Sequence, residues 1–101
     1  MNATDNEYFQ AGFAHAQDIP RYNLDMLEDG MDEDQAREEA FSAWHEAEDN
    51  SRQFSPFEFT AKAINDTEDP DANWEAFDEG IAAAFEHAWK TLVRRQFTFA
   101  S

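Results

Sequence analysis

The chain has 101 residues, no cysteine, and 23 acidic against 7 basic side chains, for a formal net charge of −16. Its length suits one domain around a single core, the missing cysteines exclude a disulfide scaffold, thiolate catalysis and thiolate-bound zinc, and the charge makes nucleic acid and anionic membranes poor partners. With 42% hydrophobic and 15% aromatic residues, including ten Phe, it carries too many core-forming side chains for a disordered chain.

The opening MNATDNEYF has neither a basic segment nor an apolar run, so no secretory signal is expected, and no uncharged apolar stretch is long enough to span a bilayer. A soluble cytoplasmic protein is the expectation. Thr4 followed by Glu7 predicts a capping box for a first helix, with Tyr8, Phe9, Gly12, Phe13 and Ala16 on one face. Ile19-Pro20 should interrupt it. A second short helix is predicted from Arg21 to about Asp29, with Tyr22, Met26 and Leu27 inward and Gly30 ending it.

Asp32 is the predicted N-cap of a third helix running to about Asp49, its core face formed by Ala36, Ala40, Ala43, Trp44 and Ala47 and its opposite face by Glu38, Glu39, Glu46 and Glu48. FSPFEF predicts a fourth helix start, with Ser55 as N-cap, Pro56 in the first turn, Glu58 as capping-box partner and a hydrophobic staple between Phe54 and Phe59. After a loop at NDTEDPD, with Asp69 or Asp71 capping, comes the longest amphipathic stripe: Trp74, Phe77, Ile81, Ala84, Phe85, Ala88 and Leu92. Lys90, Arg94 and Arg95 oppose the negative pole of that helix. The closing FTFAS alternates, as a short strand or a tail laid over the core would. The fold class predicted is all-α, a compact single-domain bundle of about four to five helices with a short C-terminal extended segment.

Specific chemistry is sparse. His15, His45 and His87 lack the paired spacing of a helical zinc site or a bundle di-iron site. Loops starting at Asp25, Asp66 or Asp69 break the calcium-loop pattern at one or more places. No glycine-rich phosphate loop or nucleophile elbow is present. No metal, no cofactor and no enzymatic activity are expected. The aromatic residues read mainly as core; Phe54, Phe57 and Phe59 crowd one helix start and cannot all point the same way, which leaves one of them as a candidate anchor for a partner.

The charge is segregated along the chain. Between Tyr22 and Asp49 stand eleven acids and one base, Arg37; between Ala63 and Trp89 stand eight acids and no base. A charge of −16 exceeds the magnitude of roughly 2–8 that suffices for solubility, so a cationic partner or a very salty solvent is implied. Carboxylates repeated once per helical turn, about 5.4 Å apart, approach the scale of the phosphate row that DNA presents to basic side chains. A rigid body with such faces could occupy a cationic nucleic-acid channel and block it.

In its size, its acidic blocks LEDGMDEDQAREEA and NDTEDPDANWEAFDE and its helical patterning, the chain resembles the small acidic, cysteine-free DNA-mimic inhibitors often encoded by phages and mobile elements. The resemblance is one of class and not of motif. It implies a basic nucleic-acid-binding protein of the restriction, CRISPR or DNA-processing kind as partner, with no direct binding of nucleic acid and no membrane association. The candidate partner-binding residues are Asp25, Glu28, Asp29, Asp32, Glu33, Asp34, Glu38 and Glu39 in the first block and Asp71, Glu75, Asp78 and Glu79 in the second. Two other readings suit the composition: an acidic interaction module that neutralises a toxin or joins an assembly, and a halophile-adapted protein. A homodimer would lengthen the acidic track, with its contact at the apolar and basic stretch from Lys90 to Phe99.

Overall fold

The structure is a computed structural model, which describes residues 6–100. It is all-α. In chain order come α1 (Glu7–Ala16), α2 (Ile19–Tyr22), α3 (Glu33–Ser51), α4 (Ser55–Asn65) and α5 (Pro70–Ala88), continued by a π segment (Trp89–Val93) and a last turn, α6 (Arg94–Gln96).

Asn6 caps α1, its Oδ1 accepting from the Tyr8 and Phe9 amides at 2.7 and 3.4 Å. The helix thus begins with Glu7 at its first position and not at the third position of a capping box; Thr4 lies outside the described residues. Gly12 and Ala16 are buried, with Tyr8, Phe9 and Phe13 half-buried beside them. Two α1–α5 contacts leave no room for a side chain. A Cβ on Gly12 would stand 2.0 Å from the Phe77 carbonyl oxygen, and one on Gly80 would stand 2.0 Å from that of Phe9. Backbone therefore meets backbone where the helices cross.

The second helix departs from expectation. Pro20, buried, sits in the first turn of α2, where its missing amide costs nothing. The helix closes at Asn23, whose side chain returns to the Ile19 carbonyl at 3.0 Å. Residues 23–31 then run in turns because their polar groups serve distant partners. The Asn23 carbonyl accepts from the Trp44 indole at 3.2 Å, the Gly30 amide donates to the Thr98 carbonyl at 2.7 Å, and Asp29 Oδ1 accepts from the Thr98 amide at 2.8 Å. Gly30 has φ +90°, a conformation its missing Cβ permits. Leu27 is buried as expected, but Tyr22 is 79% exposed and not inward.

Asp32 caps α3 as predicted, its carboxylate accepting from the Gln35 amide at 3.1 Å. Ala36, Ala40 and Trp44 are fully buried. At the next helix start the local cues mislead. A tight turn links α3 to α4, the Phe54 amide donating to the Ser51 carbonyl at 3.2 Å, and this brings Phe54 to the N-cap and makes Ser55 the first helical residue. The expected staple is absent: Phe54 and Phe59 are 66% and 76% exposed. Phe57 turns inward instead, its ring near those of His15, Trp74 and Phe77.

Asp69 caps α5, with Pro70 at the first position. Phe77, Ile81, Ala84, Phe85 and Ala88 are buried along its stripe. Leu92, predicted to continue it, is only half-buried, while Val93 is fully buried. The π segment explains the shift. The Arg94 amide reaches back five residues to the Trp89 carbonyl, and the widened turn rotates the stripe by one position. The C-terminal residues are extended and lie against residues 30–33: the Ala100 amide donates to the Met31 carbonyl at 2.7 Å and the Ala100 carbonyl accepts from the Glu33 amide at 3.2 Å. A single bridge pairs Asp32 with Ala100, and the described residues contain no strand. Phe99 stacks on Trp89, with centroids 5.4 Å apart.

Candidate functional site

The first acidic block divides into carboxylates used by the fold and carboxylates left to solvent. Asp29 holds the C-terminal segment and Asp32 caps α3. Glu33 pairs with Arg94 at 3.2 Å, tying the start of α3 to the last turn of the chain. Asp25 and Glu28 are exposed in the loop before α3. On α3 itself Asp34, Glu38, Glu39, Glu46 and Asp49 are exposed and make no ion pair among the described residues. At 100° per residue these five fall on the arc opposite Ala36, Ala40 and Trp44, along about 22 Å of helix. Ser42 occupies the arc one turn after Glu38. A shallow groove runs beside it, lined by Met26, Gln35, Glu38, Glu39, Ser42 and Glu46.

The second block is carried by α5, where Asp71, Glu75, Asp78 and Glu79 are all exposed. Two arginines from the α3 side reach this helix. Arg37 donates to Glu86 Oε1 while its guanidinium lies 4.7 Å from the centroid of the Phe41 ring, and Arg52 reaches Asp78 Oδ1 at 3.3 Å. The His45 ring stands perpendicular to that of Phe85, with centroids 5.0 Å apart. The two acidic helices are thereby laced together, with cations and rings in the seam between them. Of the twelve candidate residues, Asp29, Asp32, Glu33 and Asp78 have structural partners, Glu39 accepts only a 3.4 Å contact from Gln35, and Asp25, Glu28, Asp34, Glu38, Asp71, Glu75 and Glu79 have side chains free of hydrogen bonds and ion pairs to other described residues.

Glu48 was expected on the outer face and is instead 3% exposed. It stands four residues after Trp44 and so extends the stripe of Ala36, Ala40 and Trp44 inward. Arg52 forks onto it, Nε to Oε2 at 2.6 Å and Nη2 to Oε1 at 2.7 Å, and His15 Nε2 lies 3.2 Å from Oε2. Burial pushes the Glu48 carboxyl up, but the hydrogen bonds from His15 and Arg52 and the positive charge of Arg52 overcome this and hold it at about 2. The bond to Glu48 in turn raises Arg52 above the ordinary arginine value, against the effect of its own burial. Ser51 Oγ is 3.0 Å from His15 Nε2.

Ser51, His15 and Glu48 do not form a nucleophilic triad. Hydroxyl and carboxylate compete for one ring nitrogen, whereas a triad needs them on opposite nitrogens; the Ser51 hydroxyl also bonds the Glu48 carbonyl at 2.6 Å. Its role is to join α1 to α3. The signal for this network lay in the spacing of Trp44, Glu48 and Arg52, each four from the last; the contribution of His15, 33 residues away from Glu48, had no local signal.

Among the described residues no three His, Asp or Glu side chains converge as a metal site, and no helix is long and apolar enough to cross a membrane. No family model matches the chain, and no curated protein or solved structure matches it.

Proposed function

We propose that the protein is an inhibitory binding protein whose carboxylates imitate nucleic-acid phosphates and occupy the basic groove of a DNA- or RNA-binding protein. The observation that carries this reading is the outer arc of α3. Asp34, Glu38, Glu39, Glu46 and Asp49 stand there with no ion-pair partner among the described residues, on a helix whose opposite face is anchored in the core. A rigid scaffold bearing unpaired charge gains most from a partner that supplies the cations, because no internal pair must be broken first. The residues assigned to contact are Asp34, Glu38, Glu39 and Glu46, flanked by Asp25 and Glu28, with Asp71, Glu75 and Glu79 as the second edge. Asp29, Asp32, Glu33 and Asp78 act through the fold.

The test uses a variant that spares those structural carboxylates. Reversing Asp34, Glu38 and Glu46 to Lys adds two charges at each site and moves the net charge from −16 to −10. Host proteins are captured at low salt on the immobilised wild-type protein and challenged with duplex DNA or single-stranded RNA. The proposal expects elution by one of these and loss of capture by the triple variant, with its helical circular dichroism unchanged. Captured protein that neither nucleic acid displaces, or that binds the triple variant equally, would overturn it.

A further inference from the structure

The seven basic side chains divide into paired and unpaired ones. Arg37, Arg52 and Arg94 are held by carboxylates. Arg21, Lys62, Lys90 and Arg95 are exposed with no carboxylate partner among the described residues, and Asp18, three residues before Arg21, makes no ion pair with it. Arg21 stands at the mouth of a cavity of about 290 Å³ between α1, α2 and the end of α5, lined by Phe13, Gln17, Arg21, His87, Thr91 and Leu92. The cavity exists because α5 offers only the methyl groups of Ala84 and Ala88 at its floor. The Phe13 and His87 rings meet with centroids 5.9 Å apart and planes tilted by 55°, giving the cavity an aromatic wall.

We propose that this cavity is a binding site for a small organic acid: one carboxylate on a short apolar or aromatic body. The size is at the lower end for ligand pockets, and an apolar floor with a few polar groups at the rim is their usual construction. Arg21 presents the forked donors that suit a carboxylate. The Gln17 amide and a His87 ring nitrogen add donors beside it. The Thr91 hydroxyl is committed as a donor to the His87 carbonyl at 2.7 Å, so it can only accept and plays no part in holding the anion. Lys90 and Arg95 lie on the helical end that carries His87 and Thr91, and the acids next in sequence to the lining are Asp18, beside Gln17, and Glu86, beside His87, the latter paired with Arg37. A purely charged ligand would leave the floor unused, and a purely apolar one would leave Arg21 unpaired.

Benzoate is the probe, with benzyl alcohol as its uncharged counterpart and acetate as the carboxylate without a body; binding is read from amide chemical shifts of the full chain. Benzoate should give saturable shifts centred on Phe13, Arg21, His87 and Thr91 with a dissociation constant of about 1 mM or tighter, and benzyl alcohol and acetate should each bind about tenfold more weakly or worse. Arg21→Gln should weaken benzoate by about tenfold, with Arg21→Lys falling between. Gln17→Trp, which places a ring in the mouth from an exposed position, should abolish binding while leaving the thermal midpoint unchanged. Failure to saturate below about 20 mM benzoate, equal shifts with acetate, or indifference to Arg21→Gln would overturn the proposal.

Discussion

Glu48 shows how one carboxylate among 23 acids can differ in kind from the rest. Its oxygens are satisfied by Arg52 and His15 inside the core, whereas the carboxylates on the outer arc of α3 meet water. Breaking a fully buried ion pair costs about 3–5 kcal/mol. Here Arg52 is about one-third exposed and keeps Asp78, so Glu48→Gln should cost less, roughly 2–3 kcal/mol by urea denaturation at pH 7. The pH dependence follows from the direction of the shift. An unfolded carboxyl titrates near 4.5 and the folded one at about 2, so the contribution is complete above pH 5 and is lost as pH falls from 4.5 through 2. The stability difference between wild type and Glu48→Gln should accordingly be present at pH 5 and shrink below pH 4.5. A difference that grew as pH fell from 4.5 toward 2 would show that the carboxylate is not paired in the folded protein.

At the scale of elements, the α1–α5 crossing and the α3 cap make opposite demands on sequence. Gly80 lies inside a 19-residue helix, where replacing glycine by alanine ordinarily gains up to about 1 kcal/mol of helix propensity. The new methyl would stand 2.0 Å from the Phe9 carbonyl oxygen and 2.8 Å from the Phe13 amide nitrogen, and backbone atoms cannot rotate away. The clash should win: Gly80→Ala is expected to destabilise by about 3 kcal/mol net, measured by chemical denaturation, and a neutral or stabilising result would mean that the helices do not touch there. The cap is a smaller matter. Asp32→Ala should cost about 1 kcal/mol without altering the charge of the outer arc, so in the capture assay it should lower stability and leave binding intact. Capping signals of this sort are legible because they depend on a few adjacent residues. At the α4 start a local turn after Ser51 moved the boundary by one residue, and the tertiary contribution is that Phe57 in place of Phe54 or Phe59 took the position facing His15, Trp74 and Phe77.

At the scale of the molecule, 48 × 31 × 16 Å with a radius of gyration of 15.0 Å describes a flat body. A compact domain of this length has a radius of gyration near 13 Å. Flatness keeps the acidic helices in water and spreads like charges apart, and three arginines stitch the places where acidic elements meet. The chain should therefore be folded in about 50 mM potassium chloride, with salt adding stability by screening the remaining repulsion; between about 20 mM and 0.5 M the thermal midpoint should rise by about 5 °C. Loss of helical circular dichroism at low salt, with recovery only at molar salt, would favour the halophilic reading of the composition.

The helical periods, the cap at Asp32 and the core stripe through Phe77, Ile81, Ala84 and Phe85 were determined by the sequence alone, because each depends on neighbours within two turns; for the α5 cap the sequence left Asp69 and Asp71, and the structure takes Asp69. Only the tertiary structure decided which carboxylates were spent on the fold. Asp29, Glu33, Asp78 and Glu86 are chemically indistinguishable from their neighbours along the chain, and they differ only in the residues that packing brings opposite them. The same holds for the backbone contact at Gly12 and Gly80 and for the cavity at Arg21, since each arises from one element meeting another and has no counterpart in local spacing.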